Sequence, residues 1–147
     1  MLALASVASC NTPPLEEGWK MISIPAEGLD SLHAVRQEVL LARGRQRHSM
    51  ELYLRHDNRT EQTAIPLVRV LLRDGREQHR DTLMVQLAER PGVWRGSELV
   101  SHEASAEVPQ LLNVEYAGLY ELLFYVPEGW EVKGLTSLGF RLTRAQQ

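Results

Sequence analysis

Met50-Glu-Leu-Tyr-Leu-Arg55 is the stretch of this sequence that decides the fold class. Met50, Leu52 and Leu54 alternate with Glu51, Tyr53 and Arg55, a period of two that is typical of a half-buried antiparallel strand. Residues 138–143 repeat this pattern near the other end of the chain, with Leu, Phe and Leu on one face. We therefore expect antiparallel sheets with one side against a core.

The strongest hairpin signal lies downstream of this stretch. The apolar run Leu67–Leu72 is followed by Asp74-Gly75, a pair of residues that favours the tight turn between two antiparallel strands. The strand after the turn presents alternating apolar residues to the core: Leu83, Val85 and Leu87. These residues predict a β-hairpin centred on the turn.

The charges near this hairpin complicate its pairing. A two-residue turn would set Arg73 opposite Arg76 and Arg69 opposite Arg80, and like charges in direct cross-strand contact destabilise a sheet. An alternative expectation is that the polar run 77–80 loops out of the hairpin.

Further strands are predicted at residues 19–24 and 119–126; the second is apolar on both faces and suits the centre of a sheet. Residues 29–42 are ambiguous, because the apolar spacing fits a helix ending at Gly44 while several of the same residues also share a strand face. The local pattern leans towards the helix. The region Ser97–Gln110 is polar and turn-rich, so we expect an irregular loop that is suited to binding.

About six or seven strands in a chain of this length predict one all-β domain over residues 19–147, an antiparallel β-sandwich of jelly-roll or immunoglobulin-like type. The chain has 147 residues, of which 44% are hydrophobic and 24% charged, as is ordinary for a globular domain. The net charge of −3 argues against a nucleic-acid partner, since phosphate binding needs clustered cations. The densest basic run, 43–48, is interpreted as a solvated turn.

The first residues indicate where the protein is located. Residues 1–9 are mainly apolar and small, as in a signal peptide, and Val7-Ala8-Ser9-Cys10 is similar to the lipoprotein box of bacterial envelope proteins. Cys10 is the sole cysteine and would carry the lipid. Residues 10–18, with Pro13-Pro14, would form an extended tether. The leader lacks a basic n-region, which is typical of a sequence whose true start lies further upstream.

Catalytic motifs are not evident in the sequence. The five histidines are scattered, and none has a metal-ligating spacing such as H-E-x-x-H. There is no G-x-S-x-G elbow, P-loop or dinucleotide fingerprint. We therefore expect no catalytic residues, no metal and no cofactor.

Two tryptophans are candidates for a binding surface. Trp94 and Trp130 are flanked by glycines in predicted loops, where an exposed indole would stack on a sugar ring. The alternative is that each indole caps one end of the core. His102, which stands beside Glu103 in the predicted loop, completes the candidate surface.

Several short motifs occur in a fixed order along the chain: Leu54–Asn58, Ile65–Val70, Asp74-Gly75, Asp81–Leu83, Gly92–Gly96, Gly118–Tyr120 and Leu135–Leu142. Together with the leader, this order resembles the GldH family of gliding-motility lipoproteins, from the lipoprotein box to about Arg144. The resemblance implies a lipid-anchored β-sandwich of the Bacteroidetes cell envelope, tied to gliding motility and its secretion machinery, with no known catalytic residues. It also implies that Val35–Leu41 is a strand, and we adopt that over the helix.

The sequence therefore predicts a non-enzymatic envelope protein, held in the outer or inner membrane by acylated Cys10 and facing the periplasm. It would act as a structural or assembly component with envelope protein partners. The alternative is a glycan-binding β-sandwich lipoprotein that uses Trp94, Trp130 and the loop that contains His102.

Overall fold

The computed structural model describes the backbone of residues 18–90, 93–94 and 101–145, and the side chains of residues 18–88 and 102–145. These residues form ten strands. The strands are β1 (Trp19–Ser23), β2 (Val35–Leu41), β3 (Gln46–Asp57), β4 (Ala64–Arg73), β5 (Arg76–Gln86), β6 (Ala88–Arg90), β7 (Val93–Trp94), β8 (Ser101–Val114), β9 (Gly118–Tyr125) and β10 (Leu135–Arg144). The predicted signal peptide, Cys10 and most of the tether lie outside the described residues.

Eight of these strands form two antiparallel sheets of four. The order is β2-β9-β4-β5 in one, which we call the β4 sheet, and β1-β10-β3-β8 in the other, the β3 sheet. Each sheet turns alternate apolar residues inward, and the rings of Phe124 and Phe140 meet across the core with centroids 5.7 Å apart. Two antiparallel four-stranded sheets packed face to face make a β-sandwich, so the predicted fold class is confirmed.

The ambiguous segment is a strand. β2 pairs antiparallel with β9 along its whole length, from Val35 opposite Phe124 to Leu41 opposite Gly118. Val35, Val39 and Leu41 are buried on its inner face. The helix favoured by the local spacing is wrong, because pairing with β9 satisfies the backbone while the same apolar residues reach the core. No helix with the length and hydrophobicity of a membrane span occurs in the described part of the chain.

A one-residue bulge in the β4–β5 hairpin removes one of the two predicted contacts between like charges. Asp74 and Gly75 both have positive φ, 52° and 75°, as a tight hairpin turn requires. Arg73 does face Arg76, but the register then shifts by one residue, so that Arg69 faces Asp81. The run 77–80 stays within β5, and the loop expected as the alternative does not form. One extra residue is enough to separate Arg69 from Arg80, although Arg73 and Arg76 remain opposite each other.

Most of the predicted binding loop is also a strand. β8 pairs with β3 from Ser101 opposite Asp57 to Val114 opposite Gln46. The expectation of an irregular region is therefore wrong for residues 101–110, whereas residues 97–100 lie outside the described part. The inward positions 102, 104 and 106 carry histidine and alanine, so this strand lacks the apolar contrast that reveals its neighbours.

A buried ion pair of the β4 sheet is linked to the other of the two sheets by a hydrogen bond from its arginine to β8. Arg69 is fully buried between them, and its guanidinium donates to both Asp81 carboxylate oxygens, over 2.9 Å from Nε and 2.5 Å from Nη2. Nη2 also donates to the carbonyl oxygen of Gln110 in β8 over 3.0 Å. Asp81 receives a further contact of 2.7 Å from Nε2 of His79. The guanidinium is thereby hydrogen-bonded inside a largely apolar core.

Two loops are bound together at one end of the sandwich. The Asp57 amide donates to the Gly134 carbonyl oxygen over 2.8 Å, and the Thr60 hydroxyl donates to the Lys133 carbonyl oxygen over 2.6 Å. Gly134 has a φ of +86°, and a Cβ there would collide with the Asp57 carboxylate and with Thr60. Glycine at this position is what lets the β9–β10 connection approach the β3–β4 loop.

Candidate functional site

The outer face of the β3 sheet gathers aromatic and charged side chains from four strands. The register places Trp19 beside Arg141, Arg141 beside Glu51, and Glu51 beside Glu107. Adjacent strands are about 4.8 Å apart, so this row spans about 14 Å across the sheet. We call the surface the Trp19 face, and define it by Trp19, Met21, Glu51, Tyr53, Arg55, Glu103, Glu107 and Arg141.

Trp19 is the exposed aromatic residue of this face. It points outward from β1, and 42% of its surface is exposed. The edge of Tyr53 packs against it at 75°, with ring centroids 6.4 Å apart. The Arg141 guanidinium carbon lies 5.3 Å from the indole centroid. Neighbours on two strands thus hold the indole in place while part of it remains open to solvent.

A second row, beside Trp19, forms a flat apolar floor. Met21 faces Gly139, and Gly139 faces Tyr53. Because Gly139 has no side chain, the Met21 thioether lies over β10, where any Cβ would collide with its sulfur. Met21 is itself exposed. The floor therefore extends from the edge strand to the phenol ring.

Four of the five charged groups of the face form two ion pairs. Arg55 donates from Nη2 to Glu103 over 2.7 Å and from Nε to the Tyr53 hydroxyl over 3.1 Å. Arg141 donates from Nη2 to Glu51. The Arg55 hydrogen bond, followed by that from Tyr53, holds the pKa of the Glu103 carboxyl below its ordinary value. These pairs fix donors and acceptors in a plane around the exposed indole.

His102, a residue of the predicted surface, is buried. It lies on the inner face of β8 opposite His56, with ring centroids 5.2 Å apart. Its Nε2 lies 2.7 Å from the Asn58 side-chain oxygen. Burial, reinforced by the charge of His102, lowers the pKa of His56 although its bond to the Asp57 carbonyl opposes the shift. His102 thus belongs to the interior and does not meet a ligand on an open surface.

The two predicted tryptophans lie elsewhere. Trp130 is in the β9–β10 loop, 40% exposed, in a turn closed by its amide and the Pro127 carbonyl oxygen over 3.1 Å. A small polar cleft of about 110 Å³ at that end is lined by Arg59, Glu61, Gln62, Glu131 and Lys133. Trp94 lies in β7 opposite Ala88, and its side chain is outside the described residues. The structure therefore places Trp130 on an exposed loop and His102 in the interior, so the two do not form one surface.

The sequence interpretation missed Trp19 and Tyr53. The predicted aromatic residues stand beside glycines in loops, whereas Trp19 and Tyr53 occupy outward positions of alternating strands. The signal was present: in Met50–Arg55 the tyrosine stands on the polar side of the alternation, where a charged residue is more usual. An aromatic residue on the solvent side of a predicted strand is the pattern that would have identified this face.

Over the described side chains, no group of three or more His, Cys, Asp or Glu is placed to hold a metal ion.

No protein-family model and no curated protein matches this chain. Among solved structures, the fold is similar to a CBM4 structure, with a TM-score of 0.40 and 14% identity over 88% of this chain and 72% of that one. It is also similar to the pre-peptidase C-terminal domain of a Bacillus anthracis collagenase, with a TM-score of 0.36 and 12% identity over 90% and 99%. A third similar structure is a non-crystalline cellulose specific carbohydrate-binding module, CBM28, with a TM-score of 0.49 and 12% identity over 87% and 73%. At this level the likeness concerns the fold alone.

Proposed function

We propose that this chain is a glycan-binding β-sandwich domain without catalytic activity, and that the Trp19 face is its binding surface. The observation that carries the proposal is the half-exposed Trp19 indole, held by Tyr53 and Arg141 on the solvent side of a sheet. A pyranose ring has an apolar C–H face and a rim of hydroxyl groups. The indole covers the first, and the paired carboxylates and guanidinium groups beside it hydrogen-bond the second.

The acids of this face suit binding better than hydrolysis. A glycosidase needs a carboxyl group whose pKa is raised, so that it can protonate the leaving oxygen. The pKa of Glu103 is instead lowered, by Arg55 first and by Tyr53 second. Glu51 accepts a hydrogen bond from Arg141 and is thereby held in an ion pair. We therefore infer that these carboxylates orient a sugar and do not cleave it.

The test compares two tryptophan variants in the same binding assay. Binding of a glycan panel is first screened on an array, and the affinity for each ligand found is measured by titration calorimetry. Trp19→Ala is expected to weaken binding at least about tenfold, since loss of an aromatic anchor costs about 1.4 kcal/mol or more. Trp130→Ala, which removes an equally exposed indole in a loop, is the matched control.

Circular dichroism verifies that both variants fold. Equal losses in both variants, or a loss in Trp130→Ala alone, would move the site to the loop end of the sandwich. A chain that binds no glycan on the array would overturn the proposal.

We also propose that the domain is held at a membrane through acylated Cys10, as the lipoprotein box and the resemblance to the GldH family suggest. A diacylated cysteine supplies two chains, which is what stable anchoring requires. Mass spectrometry of the mature protein should find the lipid on Cys10, and Cys10→Ala should leave the membrane fraction. An unmodified Cys10, or a variant that stays with the membrane, would contradict the anchor.

A second candidate function is that of an assembly component of an envelope machine. The observation that favours it is an exposed apolar side chain on the outer face of the β4 sheet, Met84 of β5, which is 64% exposed, whereas Val68 and Val70 on the outward side of β4 are buried. Crosslinking in intact cells should then recover an envelope protein with the native chain and lose it with Met84→Asp. Identical recovery with both chains, or recovery with neither, would argue against this function.

A further inference from the structure

The charges of the Trp19 face indicate which glycans it can accept. Its two arginines, Arg55 and Arg141, are each bound to a glutamate, the first over 2.7 Å to Glu103 and the second to Glu51. An anionic sugar needs a guanidinium or ammonium group that is free to pair with its carboxylate or sulfate. Both guanidinium groups of this face would have to leave their partners before they could serve that purpose.

Other cations lie at a distance from the indole or on the opposite side. Arg47 points outward from β3, but it stands four residues before Glu51, about 14 Å along the strand. Lys20 follows Trp19 directly, yet it faces Phe140 and so belongs to the inner side of β1. Among the side chains of residues 18–88 and 102–145, the surroundings of the indole are thus short of available positive charge.

The far end of the row is negative. Glu107 lies directly opposite Glu51 across β3 and β8, and within the described side chains no ion pair holds Glu107. Like charges in this position destabilise a sheet unless a positive or hydrogen-donating group comes between them. With two arginines against three glutamates, the face carries a net negative charge that increases away from Trp19.

We infer that the Trp19 face selects an uncharged or amino-bearing oligosaccharide that lies across the strands from Trp19 towards Glu107, and rejects carboxylated and sulfated glycans. This inference rests on the proposed glycan-binding function and specifies its ligand class. One sugar stacks on the indole, and a following sugar donates hydroxyl or ammonium hydrogens to the carboxylates of Glu51 and Glu107. The row of about 14 Å leaves room for more than a single ring.

The experiment uses pairs of probes that share a sugar backbone and differ in the charge of one substituent. Chitin oligosaccharides are compared with their deacetylated, cationic counterparts, and cello-oligosaccharides with their uronic-acid counterparts, by titration calorimetry with the full folded chain. We expect the uncharged or the amino member of a pair to bind, and the carboxylated member to bind at least about tenfold more weakly. Binding of the uncharged member should be insensitive to salt, because it involves no charge pairing with the ligand.

Two variants test the charge argument directly. Glu51→Gln releases Arg141, and we expect it to raise the affinity for the carboxylated probe about two- to fivefold, the range of an exposed ion pair. Glu107→Gln should lower the affinity for the amino probe by a similar factor. Glu38→Gln on the outer face of the β4 sheet is the matched control, which should change neither affinity.

The outcomes separate this inference from the function on which it rests. If carboxylated probes bind as well as uncharged ones and Trp19→Ala abolishes that binding, the face is a glycan site and the inference on ligand class is wrong. If no probe binds, or if binding persists in folded Trp19→Ala, the proposed site itself is wrong. Binding of uncharged or amino probes that is lost in Trp19→Ala supports both.

Discussion

Replacement of Asp81 by alanine should destabilise the sandwich more than replacement of any exposed acid. Arg69, its partner, is fully buried, and both of its hydrogen bonds to carboxylate oxygens would be lost at once. Only the Gln110 carbonyl oxygen would then remain as an oxygen acceptor, at 3.0 Å. The guanidinium would be left as a buried charge without its counterion.

The size of the effect follows from that burial. Removal of one partner of a buried ion pair costs about 3–5 kcal/mol, mostly because the remaining charge stays desolvated. The Asp81 side chain is 15% exposed, so water can partly replace it, and we expect the lower end, about 3 kcal/mol. A domain of this kind is stable by about 5–15 kcal/mol in total. The Asp81→Ala variant should therefore still fold, with a clearly lower free energy of unfolding.

Urea unfolding followed by tryptophan fluorescence measures this loss. With a slope of about 1–3 kcal/mol per M, the midpoint should fall by about 1–3 M. Glu77→Ala is the matched control in the same strand, because Glu77 pairs with Arg80 over 2.8 Å where both side chains are about half exposed. Such a surface pair contributes about 0–1 kcal/mol. An Asp81→Ala loss no larger than the control's would refute the view that the guanidinium depends on this carboxylate.

Burial alone raises the pKa of Asp81, but the hydrogen bonds from Arg69 and His79 outweigh it, so the folded-state pKa lies below the ordinary 3.8. The stability that the Arg69–Asp81 pair contributes should therefore be complete above pH 3.8 and decline as the pH falls through the lower folded-state pKa. An acid unfolding curve that Asp81→Asn leaves unshifted would contradict this. Gly134→Ala should lower the free energy of unfolding by about 2–5 kcal/mol, because its Cβ is strained at positive φ and collides with Asp57 and Thr60. The Cβ of Gly75→Ala meets nothing within 4 Å, so this variant should lose only about 1–2 kcal/mol from the strain. Equal urea midpoints for the two variants would argue against the collision. Gly139→Val should displace the exposed, flexible Met21 side chain at little cost to the free energy of unfolding and weaken glycan binding in calorimetry. Unchanged affinity would show that the apolar floor is not part of the site.

Much of the fold could be predicted from local patterns. The alternation in Met50–Arg55 and the Asp74-Gly75 turn identify β3 and the β4–β5 hairpin, because a half-buried strand must alternate and a tight turn needs positive φ at both positions. Local patterns did not determine whether β2 is a strand or a helix, since the spacing of its apolar residues fits both. The inner face of β8 was hidden by small residues such as Ala104 and Ala106, which give no apolar contrast.

The candidate site was less accessible to prediction. Trp130 is exposed as expected of a loop tryptophan, while His102 is buried because its strand turns it towards His56. Trp19 stands on the solvent side of a predicted strand, a pattern that is visible in the sequence, but nothing near it in the sequence shows which residues it contacts. Its partners Tyr53 and Arg141 are distant in the chain and become neighbours through the pairing of β1, β10 and β3.

The sequence by itself determined that this chain is an antiparallel sandwich, because alternation and turn chemistry act over a few residues and are written locally. Only the tertiary structure decided the one-residue bulge that sets Arg69 opposite Asp81, and the order of strands that assembles the Trp19 face. Both depend on cross-strand register, where a shift of a single residue changes which side chains meet. That choice is made by the packing of all the strands together.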